Sequence, residues 1–307
     1  MLSRSRFRDW FLLLACNLIW ASQFVMVKLV QRQMGPVFAT FFPMTIATLL
    51  LIPIVRRGSP AAVRRGDITG FVLLGIGQVF AQLLITWGVK LSLASNAALL
   101  SLTLPVSTAI MAYFILGEKM NTVRWISFAL AIAGVLACSA NDLRGLNLAS
   151  GSFLLGNLLI FLSVNGSSFY NAYSKKLLER YTPLQVLLYS YYVVFVFMLP
   201  ATLYSEPAAF AALPHFGPLT WFGLAILAVF QYFVSMVIFL NVLTRLDATQ
   251  AALSNYLIPF FGVVLAAVVL GERLTPFMMA GGALVLGSTL LATLHESRQA
   301  QNAPQSA

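Results

Sequence analysis

The sequence predicts an all-α integral membrane protein, with ten transmembrane helices arranged as two inverted five-helix repeats. Three observations predict this fold: the composition, a series of ten apolar segments, and an internal repeat. Of the 307 residues, 60% are hydrophobic and 9% are charged, and the mean hydropathy is +0.87. A chain so poor in polar groups cannot cover a soluble globule, so the composition indicates a membrane protein.

Ten apolar segments have the length of about 20 residues that a helix needs to cross roughly 30 Å of hydrocarbon. Glycine, proline and most of the charged residues lie in the joints between the segments. The segments are 10–30, 37–55, 68–90, 95–116, 122–140, 151–173, 183–203, 218–241, 248–270 and 275–294. The first segment leads into further apolar segments, which favours an uncleaved helix over a signal peptide. The polar residues 295–307 are predicted to form a disordered tail.

Residues 94–121 are repeated at 248–275 without a gap, so each position pairs with the one 154 residues later. The identical pairs include Ala97/Ala251, Pro105/Pro259 and Glu118/Glu272. The chain therefore divides into a first repeat at 10–142 and a second at 148–294, with five segments in each. Because five is odd, the second repeat must cross the membrane in the opposite direction, as in the inverted repeats of secondary transporters.

Lysine and arginine residues are distributed unevenly between the two sides that the segments define. The side with the termini holds fourteen of them. The other side holds five: Lys28, Arg32, Lys90, Arg144 and Arg273. Basic residues favour the cytoplasmic side, so we expect both termini in the cytoplasm, with the chain in a bacterial inner membrane. Topology then explains the formal net charge of +10, and nucleic acid binding is not expected.

The chain also resembles a known family. Two motifs show this resemblance. The first is the N-terminal NLIWASQFVMVK. The second occurs twice and consists of Ser or Thr followed by xAALxxxxxP and, further along, by LGE and then Lys or Arg. They resemble the EamA-type transporters of the drug/metabolite transporter superfamily over about residues 10–294. The resemblance implies a central cavity lined mainly by helices one, three, four, six, eight and nine, with helices five and ten at the periphery. Family members move amino acids, nucleosides, sugars, drugs and other small metabolites, so the substrate stays open.

Polar side chains inside the segments are the predicted solute-binding residues, because each must find a partner where water is absent. They are Asn17, Trp20, Gln23, Gln78, Gln82, Asn165, Gln231, Asn255 and Tyr256. Amides, hydroxyls and aromatic rings suit a neutral or zwitterionic solute. For any single amide, a role in tying helices together is an equal alternative. Gln78 and Gln231 lie at equivalent positions of the two repeats, which favours the solute path for this pair.

Two prolines, Pro105 and Pro259, interrupt equivalent segments, since proline removes a backbone donor inside a helix. They are predicted to be hinges that flex as the cavity opens to each side, although neighbouring helices also tolerate such kinks. Glu118 and Glu272 end the same two segments, and we interpret them as structural groups that cap helices or pair with cations.

The predicted function is a secondary transporter, an exporter of a small neutral or zwitterionic metabolite such as an amino acid or nucleoside, working by alternating access. No cofactor or metal is predicted. The expected partners are the solute and the lipid bilayer, and a homodimer is left open. Because no acid or histidine is predicted deep in a segment, we expect facilitated flux or exchange and no proton coupling.

Three alternatives compete with this function. A membrane-embedded enzyme needs a nucleophile with a base or a cluster of metal ligands, whereas the acids lie at joints and His215 and His295 are isolated. A flippase for a lipid-linked solute is a second alternative. A nucleotide-sugar exchanger is the third, and the lack of a central Lys or Arg to neutralise phosphate speaks against it.

Overall fold

The computed structural model describes residues 4–58, 60–116, 122–138, 152–244, 255 and 257–302. All regular structure in these residues is helical. The α-helices are α1 (Arg4–Val30), α2 (Pro36–Arg57), α3 (Ile68–Leu91), α4 (Ala94–Leu100), α5 (Leu104–Leu116), α6 (Thr122–Cys138), α7 (Ser152–Leu178), α8 (Pro183–Ser205), α9 (Ala208–Ala212), α10 (Pro218–Ala225), α11 (Ser235–Leu243), α12 (Leu257–Leu270) and α13 (Pro276–Asn302). A π-helical segment, Ile226–Val234, joins α10 to α11.

Seven stretches of the described residues are long and apolar enough to cross a bilayer. They are Phe11–Val30, Pro36–Arg57, Arg65–Leu91, Ala94–Ile115, Ser152–Leu178, Pro183–Ser205 and Pro218–Leu243. Three shorter apolar stretches are Trp125–Gly134, Ile258–Leu270 and Pro276–Ser288. Each predicted segment overlaps one of these ten stretches, and seven of them reach the length of a full span within the described residues. The fold is therefore that of an all-helical, multi-pass membrane protein.

Helix α13 differs from its prediction at its C-terminal end. It continues to Asn302, beyond residue 295, where the sequence predicts a disordered tail. The residues concerned include Glu296, Arg298 and Ala300, which are good helix formers, so the apolar helix extends into them without a break.

One end of the bundle, called here the Lys28 end, is the end at which α1 and α3 finish and α2 and α4 begin. Two carboxylates from the second half of the chain cap helices there. Glu206, after α8, accepts bonds from two backbone N–H groups of α2 at 2.8 and 3.1 Å. Glu272, after α12, accepts bonds from two backbone N–H groups of α4 at 2.9 and 3.0 Å. Glu272 thus has the structural, helix-capping role expected for it, while Glu118 lies outside the described residues.

The opposite end, called the Asp67 end, is the end at which α3 and α8 begin and α7 finishes. The Asp67 carboxylate accepts a hydrogen bond from the Tyr181 hydroxyl at 2.8 Å and pairs with the Arg180 guanidinium at 3.1 Å. The chain between α2 and α3 therefore lies beside the chain between α7 and α8. The segment between α8 and α10 lies at the Lys28 end instead, because the Gly217 N–H donates to Gln33 at 2.8 Å.

Helices α3 and α7 pack against each other in antiparallel directions along their length, and glycines permit the close approach. Near the Lys28 end, a Cβ on Gly88 would lie 2.9 Å from the carbonyl oxygen of Gly156. Near the Asp67 end, Gly70 faces Tyr173. This seam fixes the faces that α3 and α7 turn towards the middle of the bundle.

Candidate functional site

A cavity of about 110 Å³ lies in the middle of the bundle. Its lining residues come from α1, α3, the α4–α5 region, α7, the stretch Pro218–Leu243, and α12. These correspond to the first, third, fourth, sixth, eighth and ninth predicted segments, which is the set that the family resemblance implies. Helices α6 and α13 pack against each other and contribute no described residue to the lining.

Four glutamines from three different helical stretches line this cavity, which we call the amide cavity. They are Gln23 of α1, Gln78 and Gln82 of α3, and Gln231 of the π-helical segment, and Trp20 of α1 lies beside them. The sequence therefore predicted five lining residues that the fold brings together from positions up to about 210 residues apart.

A chain of hydrogen bonds connects three of the glutamines. Gln231 Nε2 donates to Gln23 Oε1 at 2.8 Å, and Gln23 Nε2 donates to Gln82 Oε1 at 2.8 Å. The Tyr232 hydroxyl donates to the same Gln82 oxygen at 3.1 Å. The chain links α1, α3 and the π-helical segment, so these amides hold helices together and also form one wall of the cavity.

The π-helical segment explains why the adjacent residues Gln231 and Tyr232 both bond to side chains in the same wall of the amide cavity. Its widened turns have backbone bonds to the fifth preceding residue, as in the bond from Ser235 N–H to the Phe230 carbonyl. Gln231, Tyr232 and Ser235 consequently all bond to α1 or α3, and the Ser235 hydroxyl accepts from Trp20 Nε1 at 2.9 Å. Single π turns occur often at functional sites. A regular 3.6-residue period gives no signal for Tyr232 or Ser235, and sequence reasoning missed both.

Some amide groups of the cavity have no protein partner. Gln78 is 3% exposed, and its side chain makes no hydrogen bond to any described residue. Gln231 is 5% exposed, and its Oε1 has no hydrogen-bond partner in the described part of the chain. Buried polar atoms without a partner are rare and costly, so Gln231 Oε1 is the strongest sign that the cavity can receive a polar solute, and the unbonded amide of Gln78 agrees with it.

The helix break predicted at Pro105 is present in the structure. Helix α4 ends at Leu100, a single 3₁₀ turn covers Ser101–Thr103, and α5 starts at Leu104 with Pro105 in its first turn. Both Ser101 and Leu104 line the cavity. Pro259 lies in the first turn of α12. The hinge role of the two prolines remains a prediction.

Helix α7 contributes a polar stripe that sequence reasoning missed. Ser163, Ser167, Tyr170 and Asn171 all line the cavity. They are spaced at i, i+4, i+7 and i+8, which is the spacing of one helical face. That spacing is the signal available in the sequence, whereas the predicted residue on this helix is Asn165. Asn165 lies on a different face and donates to the Phe161 carbonyl of its own helix at 2.8 Å.

Three further predicted residues do not line the cavity or cannot be placed. Asn17 is buried, and its amide has no hydrogen-bond partner among the described residues. Asn255 is also buried, and its backbone carbonyl accepts from Ile258 N–H at 3.0 Å. Tyr256 lies outside the described residues. Neither Asn17 nor Asn255 is among the residues that line the amide cavity.

The side chains that line the cavity can form hydrogen bonds and apolar contacts with a solute. Its described lining consists of amides, hydroxyls, aromatic rings and apolar side chains, with no acidic or basic side chain among them. Such a wall offers hydrogen-bond donors and acceptors without a net charge, which suits an uncharged or internally neutralised solute.

Comparisons with known proteins agree with this description. The model of the EamA-like transporter family matches residues 9–140 and again residues 154–294. A probable terminal-alkyne amino-acid exporter of Streptantibioticus cattleyicolor is 28% identical, with 89% of each chain covered. A probable amino-acid metabolite efflux pump of Salmonella typhimurium is 26% identical, covering 91% of this chain and 92% of the relative. An S-adenosylmethionine uptake transporter of Rickettsia prowazekii is 23% identical, covering 94% and 92%.

A crystal structure at 17% sequence identity superposes with a TM-score of 0.65 and covers 98% of this chain and 99% of its own. This likeness shows the fold. The family model matches most of the chain in two successive blocks, and the names of the relatives point to transport and not to catalysis. The chain belongs to the EamA-like transporter family.

Proposed function

We propose that the protein is a secondary transporter that exports a small neutral or zwitterionic metabolite by alternating access. The observation that carries the proposal is the amide cavity, in which a buried acceptor without a described partner, Gln231 Oε1, and the unbonded amide of Gln78 lie in a wall without charged side chains. A bound solute satisfies such groups when it enters, and its own polar groups are satisfied in return.

The second part of the proposal is that two inverted five-helix repeats build this cavity. The two family matches support it, as do equivalent lining residues from both halves: Gln78 with Gln231, and Leu104 with Ile258. Helix contacts support it as well, because α3 packs antiparallel to α7 while α1 packs antiparallel to Pro218–Leu243. In such a repeat pair, rocking of one half against the other opens the site alternately to the two sides.

The conformation described here supports closure of the cavity at the Lys28 end. The Lys28 ammonium donates to the carbonyls of Val89 at 2.6 Å and Ser92 at 2.5 Å, which fastens α1 to the end of α3. Gln31 Nε2 adds a bond to the Thr86 carbonyl at 2.7 Å. Opening at this end requires these bonds to break, and Pro105 and Pro259 are the proposed points of flexing.

The solute class follows from size and chemistry. An apolar cavity of about 150 Å³ holds benzene, so a cavity of about 110 Å³ suits a small solute. This favours a small amino acid over a nucleoside in the closed conformation. Gln231 Oε1 is an acceptor for an ammonium group, and the unbonded amide N–H groups of Gln78 can donate to a carboxylate. The amino-acid exporters among the relatives agree with this choice.

The orientation is the third part of the proposal, with both termini in the cytoplasm of a bacterial cell. The positive-inside bias supports it, and the Asp67 end, where residues 56–67 meet residues 174–182, is then cytoplasmic. Cysteine labelling from outside the cell provides a check. We expect modification at Tyr204→Cys, near the Lys28 end, and none at Arg65→Cys.

A binding screen on the purified full-length protein tests the function. Amino acids, nucleosides and sugars are added singly, and the thermal stability is measured. A solute at one hundred times its Kd stabilises the protein by about 2.7 kcal/mol. We expect small amino acids to stabilise the protein and to be carried across proteoliposome membranes. Stabilisation by phosphorylated or strongly anionic solutes alone contradicts the proposal.

A further inference from the structure

Three cationic side chains meet around one surface pocket at the Lys28 end, apart from the amide cavity. Lys28, Arg32 and Lys90 line a pocket of about 330 Å³ together with Gln31, Leu270 and Glu272. These three are among the five cations that the sequence assigns to the sparsely charged side of the protein. The distribution of charge between the two sides of the membrane does not explain why these three cations lie around one pocket.

The three cations of this pocket outnumber its one described carboxylate, Glu272, so the pocket keeps an excess of positive charge. Both Glu272 oxygens accept bonds from the first residues of α4, including the Ser95 hydroxyl at 2.7 Å. No ion pair involving Arg32 or Lys90 occurs within the described residues. Lys28 bonds only to backbone carbonyls. The pocket is therefore suited to an anion, and Lys with Arg is the combination that binds phosphate oxygens.

The surface next to the pocket indicates which kind of phosphate it takes. One face of α3 carries exposed apolar side chains, Ile76 (42%), Phe80 (47%) and Trp87 (37%), and Lys90 continues that face. The Lys90 ammonium lies 5.5 Å from the centroid of the Trp87 ring. Ten residues of helix separate Phe80 from Lys90, about 15 Å, which is the depth of one membrane leaflet.

We propose that Lys28, Arg32 and Lys90 bind the headgroup phosphate of an anionic phospholipid, whose acyl chain lies along the exposed face of α3. Trp87 is placed where tryptophan is enriched, at the boundary between hydrocarbon and headgroups. Each basic residue near an anionic membrane surface contributes about 1 kcal/mol.

Lipid retention by the purified full-length protein tests the proposal. Native mass spectrometry measures binding of phosphatidylglycerol and of phosphatidylcholine with the same acyl chains. The double variant Arg32→Gln, Lys90→Gln removes two exposed cations of the pocket. The matched control, Arg64→Gln, Arg65→Gln, removes two exposed cations near the Asp67 end. Both variants carry the same net charge, and their thermal stability verifies folding.

We expect tight phosphatidylglycerol binding that weakens about fivefold for each pocket cation removed. The control variant should bind phosphatidylglycerol like the wild type, and phosphatidylcholine should bind more weakly to all three proteins. Equal phosphatidylglycerol binding by the pocket variant and the wild type overturns the site. Displacement of the lipid by millimolar inorganic phosphate overturns the lipid assignment and leaves a site for free phosphate. Trp87→Ala distinguishes a lipid headgroup from free phosphate further, because it should weaken binding of phosphatidylglycerol and leave binding of inorganic phosphate unchanged.

Discussion

Gln78 and Gln231 lie one in each of the two stretches that match the family model and both line the amide cavity, yet their amides are bonded differently. Gln231 lies in a π-helical segment and donates to Gln23 at 2.8 Å, whereas Gln78 lies in a regular helix and bonds to no described residue. Each matched stretch therefore supplies a glutamine to the cavity, and the local backbone decides what each glutamine bonds to. One glutamine holds the wall together, and the other is free for a solute.

The largest effect is expected at Gln23, the centre of the hydrogen-bond chain. Gln23→Leu leaves Gln231 Nε2 without its acceptor and removes a donor from Gln82 Oε1. Each buried group left unpaired costs about 1–3 kcal/mol, so the free energy of unfolding and the transport rate should both fall strongly. Denaturation in detergent and flux in proteoliposomes measure the two quantities. If Gln23→Leu leaves both stability and transport unchanged, the hydrogen bonds of Gln23 do not hold the cavity wall together.

Because the two glutamines are bonded differently, replacement by leucine should have different effects on stability at positions 231 and 78. Gln231→Leu removes an interhelical bond, worth about 0.6–1.7 kcal/mol in membrane proteins, and so lowers both stability and transport. Gln78→Leu removes no protein bond, so transport should fall by about tenfold, the equivalent of 1.4 kcal/mol of binding energy, at wild-type stability. Asn165→Leu is the matched control, because this amide bonds only to its own helix. If Gln78→Leu loses stability in step with activity, helix packing is the better explanation.

A smaller effect is expected where α3 meets α7, the seam that directs Gln78 and the α7 stripe towards the cavity. A Cβ on Gly88 would lie 2.7 Å from the Ile160 side chain and 2.9 Å from the Gly156 carbonyl. Gly88→Ala should therefore destabilise the protein by about 1–3 kcal/mol. Gly287→Ala in α13 is the control, since no atom lies within 4 Å of its added Cβ. Similar melting temperatures for the two variants speak against a tight seam.

The smallest effect is expected from a pH gradient. No acidic or basic side chain is among the described residues that line the amide cavity, so an imposed gradient should not drive uphill accumulation. Glu272 is engaged at the start of α4, and Glu272→Gln should lower stability without changing the pH response. Proteoliposome uptake with and without the gradient is the measurement. Gradient-driven accumulation that Glu272→Gln or Glu118→Gln abolishes identifies a coupling role for these residues.

Much of the fold and about half of the candidate site were predictable, for reasons that differ. The helical segments follow from apolar length, and the break before Pro105 follows from a missing backbone donor. Trp20, Gln23, Gln78, Gln82 and Gln231 were found because polar groups inside apolar segments are conspicuous.

Whether each of the remaining residues faces the cavity depends on how its helix is rotated about its axis and on local backbone geometry. Neither can be read from the sequence. Asn165 and Ser167 are two residues apart on α7, yet only Ser167 faces the cavity, and packing against α3 decides which. Tyr232 reaches Gln82 because a π segment shifts the helical register. No composition or period predicts that shift.

The central claim is that the solute occupies the amide cavity, and protection of a single cysteine tests it most directly. Cys16 and Cys138 are replaced by alanine, Ser167→Cys is introduced in the cavity lining, and Tyr204→Cys at an exposed site serves as control. The rate of modification by a small methanethiosulfonate reagent is measured with and without the solute selected by the binding screen. We predict that the solute slows modification at position 167 and leaves position 204 unchanged. Equal rates at position 167 with and without a saturating solute would contradict the account.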